Sequence, residues 1–298
     1  METHDDVLNS PIIWVPTTLE EFSSLKEQIS QGCTYVAGGT LLQLRWQVAQ
    51  TTPKHLINLE EILPLQQYKI DEQYVTIGAL TKLSTLRFDA VLNEAYPVFA
   101  TAVKSIAAPA VRNRATIGGN VMGGEGDLIP LLLAMQAELT FLQGGDFKTM
   151  TMEEWLPVRQ SMNDLLLEIT IPTYSPAQTT TFYRKIGRRE TFTAAILTVA
   201  GQVSLADEVI DHIALAVGGA SNQPLRFKEA EHYLLNKTAN QIDWKKVYRN
   251  IVEEYPAATD IFVTSNYKKK VAANLIIAEL QKVIQNQVEQ EEAVRYEV

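Results

Sequence analysis

The chain has little with which to hold a metal or close a disulfide. Of its 298 residues one is cysteine, Cys33, and four are histidine. A single cysteine forms no intrachain disulfide and holds no zinc or iron–sulfur centre by itself. His4, His55, His212 and His232 are scattered without metal-ligand spacing. No apolar run approaches the ~20 residues of a membrane span. The opening METHDDVLNSPIIW lacks the basic-then-apolar order of a signal peptide. Positive charge is also short, with 26 Lys and Arg against 35 Asp and Glu, for a net charge of −9. That balance disfavours a grip on phosphate backbones, so nucleic acid is not an expected partner. The Rossmann pattern G-x-G-x-x-G is absent, as is the Gly-Lys-Ser/Thr of a P-loop. No Ser/His/Asp or Cys/His arrangement points to nucleophilic or acid–base catalysis. With 46% hydrophobic and 20% charged residues, the composition is that of a globular protein, expected in the cytoplasm.

Apolar spacing and turn residues outline an α+β chain. Thr17 to Ile29 reads as a helix behind cap-type residues. TYVAGGTLLQLRWQ reads as a strand, a Gly-Gly turn and a helix starting near Thr40. YKIDEQYVTIG reads as two strands around a turn at Asp71 and Glu72. Leu83 to Ile106 reads as helix interrupted at Pro97. LLLEITIP is a strand ended by Pro172, and TYSPAQTT is a linker with a boundary near residue 176. Beyond it, AAILTVAGQVSLADEVIDHIALAVGGA reads as two or three antiparallel strands with turns near Asp207 and Asp211. Three amphipathic helices follow. The run Lys268 to Lys270 reads as the wet face of the last helix.

Two glycine stretches stand out. VAGGT covers Val36 to Thr40 and TIGGN covers Thr116 to Asn120. Each sets Gly-Gly between an apolar strand-like segment and a polar side chain. Glycine admits positive φ and lets a ligand touch main-chain N–H groups. Successive amides form an anion-binding concavity, and a helix start adds its dipole. Two such turns suit one extended anionic cofactor, such as a dinucleotide diphosphate. Two tight turns without a ligand remain the other reading.

YVAGGTLL and RATIGGN resemble the signature loops of the FAD-binding medium subunit of the molybdenum hydroxylases. That family includes the flavoprotein subunit of carbon monoxide dehydrogenase and the flavin domain of xanthine dehydrogenase. FYRKIGRRETFTAAILTVA, ALAVGGASNQPLRFKEAEHYLL and SNYKKKVAANLI are similar to its later segments. The resemblance implies a two-part FAD-binding domain of the PCMH/VAO type over residues 1–175. Residues 177–298 would form a small antiparallel sheet covered by helices. It implies FAD contacts from Tyr35, Val36, Ala37, Gly38, Gly39, Thr40, Leu41 and Leu42, with amides of Ala37 to Thr40 on the diphosphate. Ile106 and Ala107 would pack near the flavin. Thr116, Gly118, Gly119 and Asn120 would form the second clamp. Asp127 would hydrogen-bond the cofactor, and Leu166 and Lys185 would line its far end. Read from the residues alone, Leu166 equally suits strand core, Lys185 a solvated surface and Asp127 a helix cap.

Two departures from the family pattern stand in the loops. Leu41 occupies a position that is usually polar or acidic. The connection VMGGEG is about two residues short, which bears on whether Asp127 reaches the cofactor and whether Glu125 replaces it or repels a phosphate. Farther on, Arg188, Arg189 and Phe192 fall in a loop that the resemblance sets near the isoalloxazine, although a basic turn with Phe192 in the core fits as well. By resemblance the whole enzyme is a heterotrimer, with a molybdopterin large subunit, a [2Fe–2S] small subunit and this chain, whose FAD serves NAD or another acceptor. A self-contained flavin oxidoreductase and a structural subunit with weakened FAD binding are the alternatives.

Overall fold

A computed structural model describes residues 10–29, 32–48, 53–173, 179–188, 195–219 and 222–296, and side chains as far as residue 286. The expected boundary near residue 176, together with Arg189 and Phe192, lies outside these residues. Three sheets divide the described residues. The first is parallel, with order β1-β3-β2, from β1 (Ile12–Trp14), β2 (Cys33–Val36) and β3 (His55–Asn58). Its connecting helices are α1 (Leu19–Gln28) and α2 (Thr40–Val48). Thr18 caps α1 by accepting the Glu21 N–H, and the Glu21 carboxylate returns to the Thr17 N–H at 2.7 Å.

The second sheet is antiparallel, with order β4-β5-β8-β6-β7. It uses β4 (Tyr68–Ile70), β5 (Tyr74–Gly78), β6 (Glu138–Gln143), β7 (Asp146–Thr151) and β8 (Leu165–Pro172). Between β5 and β6 run six short helices: α3 (Leu83–Phe88), α4 (Ala90–Ala95), α5 (Pro97–Lys104), α6 (Pro109–Arg112), α7 (Ile117–Met122) and α8 (Ile129–Ala134). A further helix, α9 (Met152–Val158), precedes β8 and opens on a capping box of Thr151 and Glu154. Pro97 interrupts the helical stretch by starting α5, where its missing N–H costs nothing.

The third sheet is antiparallel, with order β12-β11-β10-β9. Its strands are β9 (Thr179–Gly187), β10 (Ala195–Ala206), β11 (Val209–Gly218) and β12 (Leu225–Arg226). Helices α10 (Lys228–Leu234), α11 (Trp244–Glu254) and α12 (Ser265–Tyr296) cover it. One apolar core fills this unit, around Val199, Leu215, Phe227 and Ile276. A second core joins the five-stranded sheet to α3–α5 and α7–α9 and reaches Tyr183, Ala200 and Ala216 of the third sheet.

Three readings of the sequence are corrected here. The stretch IGGNVM is a helix, not a turn after a strand. The Thr116 hydroxyl caps it by accepting the Gly119 N–H at 3.0 Å. Gly118 is a packing requirement, since a β-carbon on it would lie 2.6 Å from the Ala79 carbonyl oxygen. Close approach has overridden helix propensity. Asp211 is inside β11, and the turn is made at Asp207 and Glu208, both at positive φ.

The third correction is Lys268, which is fully buried rather than on a wet face. Its Nζ donates to Asp260 Oδ2 at 2.7 Å and to Asn222 Oδ1 at 3.3 Å. The Lys268 ammonium, and then the amides of Phe262 and Val263, hold the Asp260 carboxyl down at about 2. An unfolded aspartate titrates near ~3.9. This depressed value stabilises the fold at neutral pH, and the contribution is lost as pH falls through about 2. Asp260→Asn is therefore expected to melt at lower temperature than the wild type at pH 7. The gap should close between about pH 4 and pH 2. A constant gap across that range would remove Asp260 as its source.

Candidate functional site

The first glycine loop, residues 37–39, joins β2 to α2. Gly39 has φ of +70°, a conformation that side-chain-bearing residues rarely adopt. Gly38 is there for a different reason. A β-carbon on it would overlap the Arg114 carbonyl oxygen, so the loop packs directly on the chain just before the second glycine pair. Arg114 Nε adds a hydrogen bond to Gly38 O at 3.3 Å. The first helical bond of α2 runs from Gln43 N–H to Gly39 O. The amides of Thr40, Leu41 and Leu42 thus precede any intrahelical partner, and all three residues line a cavity.

That cavity has a volume of about 560 Å³. Its walls include Tyr35, Ala37, Gly38, Gly39, Thr40, Leu41 and Leu42 from the first loop region. Thr116, Gly118, Gly119, Asn120 and Asp127 come from the second, with Ile106 and Leu166 alongside. Val36, Ala107 and Lys185 are not in the wall. Val36 is paired with Asn58 in the sheet. Ala107 sits behind Ile106 at φ of +42°, and the buried Arg112 donates to the carbonyls of both residues. Lys185 lies one layer back. Its Nζ donates to Asp127 Oδ2 at 2.7 Å and to Ser105 O at 3.0 Å. Asp127 reaches the cavity wall despite the short connection, which folds back so far that a β-carbon on Gly126 would overlap Asn120 O. Leu166 belongs both to the wall and to the core of the second sheet.

The second loop meets the cavity differently from the first. Its amides are taken: Ile117 N–H by Thr81 O, Gly118 N–H by Ala79 O, Gly119 N–H by Thr116 Oγ1 and Asn120 N–H by Thr116 O. What Gly119 offers is open space. Beyond its own helix, a β-carbon there would meet only Thr116 Oγ1, at 3.0 Å. Asn120 Oδ1 accepts the Leu128 N–H at 3.1 Å and ties the connection down.

Several wall residues escaped sequence reasoning. Arg45 of α2 donates Nη2–H to Gly123 O at 3.1 Å. Cys33, Asn163 and Asp164 also line the cavity, and so does Glu125, which the sequence marks as a substitute for Asp127 or a charge that repels a phosphate. Arg45 was within reach of a periodicity argument, because it falls one helical turn after Leu41. At the Cys33 end, Lys26 Nζ donates to Tyr35 Oη at 2.6 Å, and that hydroxyl donates to Asn163 O at 3.0 Å. Burial, and then the neighbouring Cys33 and Asp164, raise the Tyr35 phenol above its usual range, so it remains a hydrogen-bond donor at neutral pH. Burial, then Asp127, does the same for Tyr183 behind the ion pair.

The volume is that of a ligand pocket rather than a packing defect. An α+β frame, helix-start amides at one loop and the open face of Gly119 at the other make a cradle that a side chain at Gly119 would narrow. These residues fit a phosphate-bearing dinucleotide, so the class is a cofactor-binding protein outside the Rossmann and P-loop types. The family description "FAD binding domain in molybdopterin dehydrogenase" matches residues 8–174, and "CO dehydrogenase flavoprotein C-terminal domain" matches residues 181–283. The chain belongs to this family of FAD-binding dehydrogenase subunits. It is 25% identical to the carbon monoxide dehydrogenase medium chain of Hydrogenophaga pseudoflava, covering 88% of this chain and 92% of that one. It is 30% identical to the uncharacterized protein YgfM of Escherichia coli K12 over 75% of this chain and 80% of the relative. Among solved structures, the carbon monoxide dehydrogenase of H. pseudoflava lacking the Mo-pyranopterin moiety superposes with TM-score 0.82 at 24% identity, covering 89% and 94% of the two chains. The reconstituted CO dehydrogenase of Oligotropha carboxidovorans gives 0.83 at 21%, covering 90% and 95%. At those identities the structures speak for the fold. No helix among the described residues is long and apolar enough to cross a membrane.

Proposed function

We propose that this chain is the electron-transfer subunit of a molybdenum hydroxylase, working with an iron–sulfur small subunit and a molybdopterin large subunit. Bound FAD would supply the redox chemistry between clusters on the partner and NAD or another acceptor. The observation that carries this reading is the meeting of both glycine loops on one cavity, in a chain matched along most of its length by the two family domains.

The chain's own residues bind and orient. Helix-start amides from Thr40 to Leu42 hold the diphosphate, with Gly38 and Gly39 shaping the approach. Gly119 keeps the opposite wall open, Gly118 lets its helix pack against Ala79, and Thr116 and Asn120 fix its position. Ile106 packs against the flavin on a backbone that Ala107 and Arg112 hold in place. Asp127, oriented by Lys185, accepts a cofactor hydrogen bond. Leu166 closes the far end. The family matches stop at residue 174 and resume at 181, which supports a division into 1–175 and 177–298.

The purified chain is expected to show flavin absorption bands at one FAD per chain. Co-expressed with its partners, it should elute in a complex containing iron and molybdenum. Absence of flavin bands after FAD is added would sink the cofactor reading. Turnover of a substrate by the isolated chain would favour a self-contained flavin enzyme instead.

A further inference from the structure

Charge around the cavity is lopsided. Among the described residues three carboxylates line it, Glu125, Asp127 and Asp164, against one cationic side chain, Arg45. Asp127 is neutralised by Lys185 at 2.7 Å. Asp164 accepts a hydrogen bond from Gln143 Nε2 at 3.0 Å. Glu125 is exposed and has no partner among the described residues. A dinucleotide diphosphate entering here therefore meets two carboxylates without a cationic partner among the described residues, Asp164 and Glu125, and one positive charge, Arg45.

Arg45 is placed to use that charge. Leu41, Leu42 and Arg45 all line the cavity, as expected of residues three and four apart on one helix face. Side chains on a helix lean toward its N-terminus. For Arg45 this is the direction of the glycine loop and of the amides at the start of α2. One of the five guanidinium N–H groups goes to Gly123 O, and the others have no protein partner among the described residues. The guanidinium thus spans from the helix after the first loop to the connection after the second.

We infer that Arg45 is a cofactor-binding residue that donates to the diphosphate, and that Glu125 opposes it, the pair setting affinity and its salt dependence. This rests on the reading that the cavity takes FAD. Arg45 supplies the charge that free amides alone do not. Glu125, in the shortened connection, makes FAD release easier than it would be in a neutral cavity.

The test is titration of the flavin-free full-length chain with FAD and with riboflavin, followed by flavin fluorescence at low and moderate salt. Arg45→Gln keeps N–H donors but removes the charge. It should weaken FAD binding by about tenfold or more, the scale of one charge-assisted hydrogen bond. It should also flatten the salt dependence and leave riboflavin affinity unchanged. Arg45→Lys should recover part of the loss. Glu125→Gln should tighten FAD binding and leave riboflavin alone. If Arg45→Gln binds FAD as the wild type does, with the same salt dependence, the inference fails while the FAD reading stands. Equal weakening of FAD and riboflavin would reduce Arg45 to a strap on Gly123 and would also overturn it. If the wild type binds neither, the FAD reading itself fails.

Discussion

Lys185→Met is expected to cost this protein its FAD and a large part of its stability together. The Lys185 and Asp127 side chains are 8% and 14% exposed, and their charged atoms lie 2.7 Å apart. Lys185 comes from β9 of the third sheet, whereas Asp127 comes from the connection before α8. Removing the lysine leaves a carboxylate in the cavity wall with neither its counter-ion nor full hydration. Breaking a buried pair from one side costs ~3–5 kcal/mol, and the partial exposure here points to about 3. Against a typical total of ~5–15 kcal/mol, that lowers the melting temperature by many degrees. The same stranded charge repels a diphosphate, so flavin should be lost on purification. Adding Asp127→Leu removes the stranded charge and should restore most of the melting temperature. A single variant that melts with the wild type and keeps stoichiometric FAD would show that the pair supports neither fold nor cofactor.

The second large effect separates two glycines that look alike in sequence. Gly38→Val has no room, because its β-carbon would overlap the backbone of Arg114. The two loops must part, at a cost of ~3 kcal/mol or more, and both FAD and thermal stability should fall. A β-carbon at Gly119 would meet only the Thr116 hydroxyl, at 3.0 Å, and Gly119 lines the cavity. Gly119→Val should lose FAD and keep its melting temperature within a few degrees. Absorption at flavin wavelengths and thermal unfolding, run on both variants, decide the matter. Stoichiometric FAD in Gly119→Val would mean that the second loop is not part of the site.

The contrast explains what could be read from the chain in advance. Alternating and helical apolar patterns gave the hairpins and the three C-terminal helices, because burial of one face dictates them. The glycine pairs announced close approach but not what approaches. At Gly38 and Gly118 the neighbour is the protein's own backbone; at Gly119 it is the cavity. Lys268 read as a surface residue because its partners Asp260 and Asn222 come from a turn and a loop that no periodicity connects to it. Lys185 was open between surface and site for the same reason, since Asp127 lies 58 residues away. Arg45 was missed because a basic residue on an exposed helix is ordinary until the cavity beside it is seen.

The ion pair that ties β9 to the connection before α8 also sets an order of events in biosynthesis. A growing chain that has reached residue 174 carries both glycine loops and Asp127, but not Lys185. Its cavity wall then bears an unneutralised carboxylate, and Ser105 O lacks its donor. Only after β9 has been made and docked is that wall complete. If the cavity holds FAD as proposed, a chain truncated before β9 is expected to hold flavin less firmly than the full-length chain, which flavin retention on purification would check.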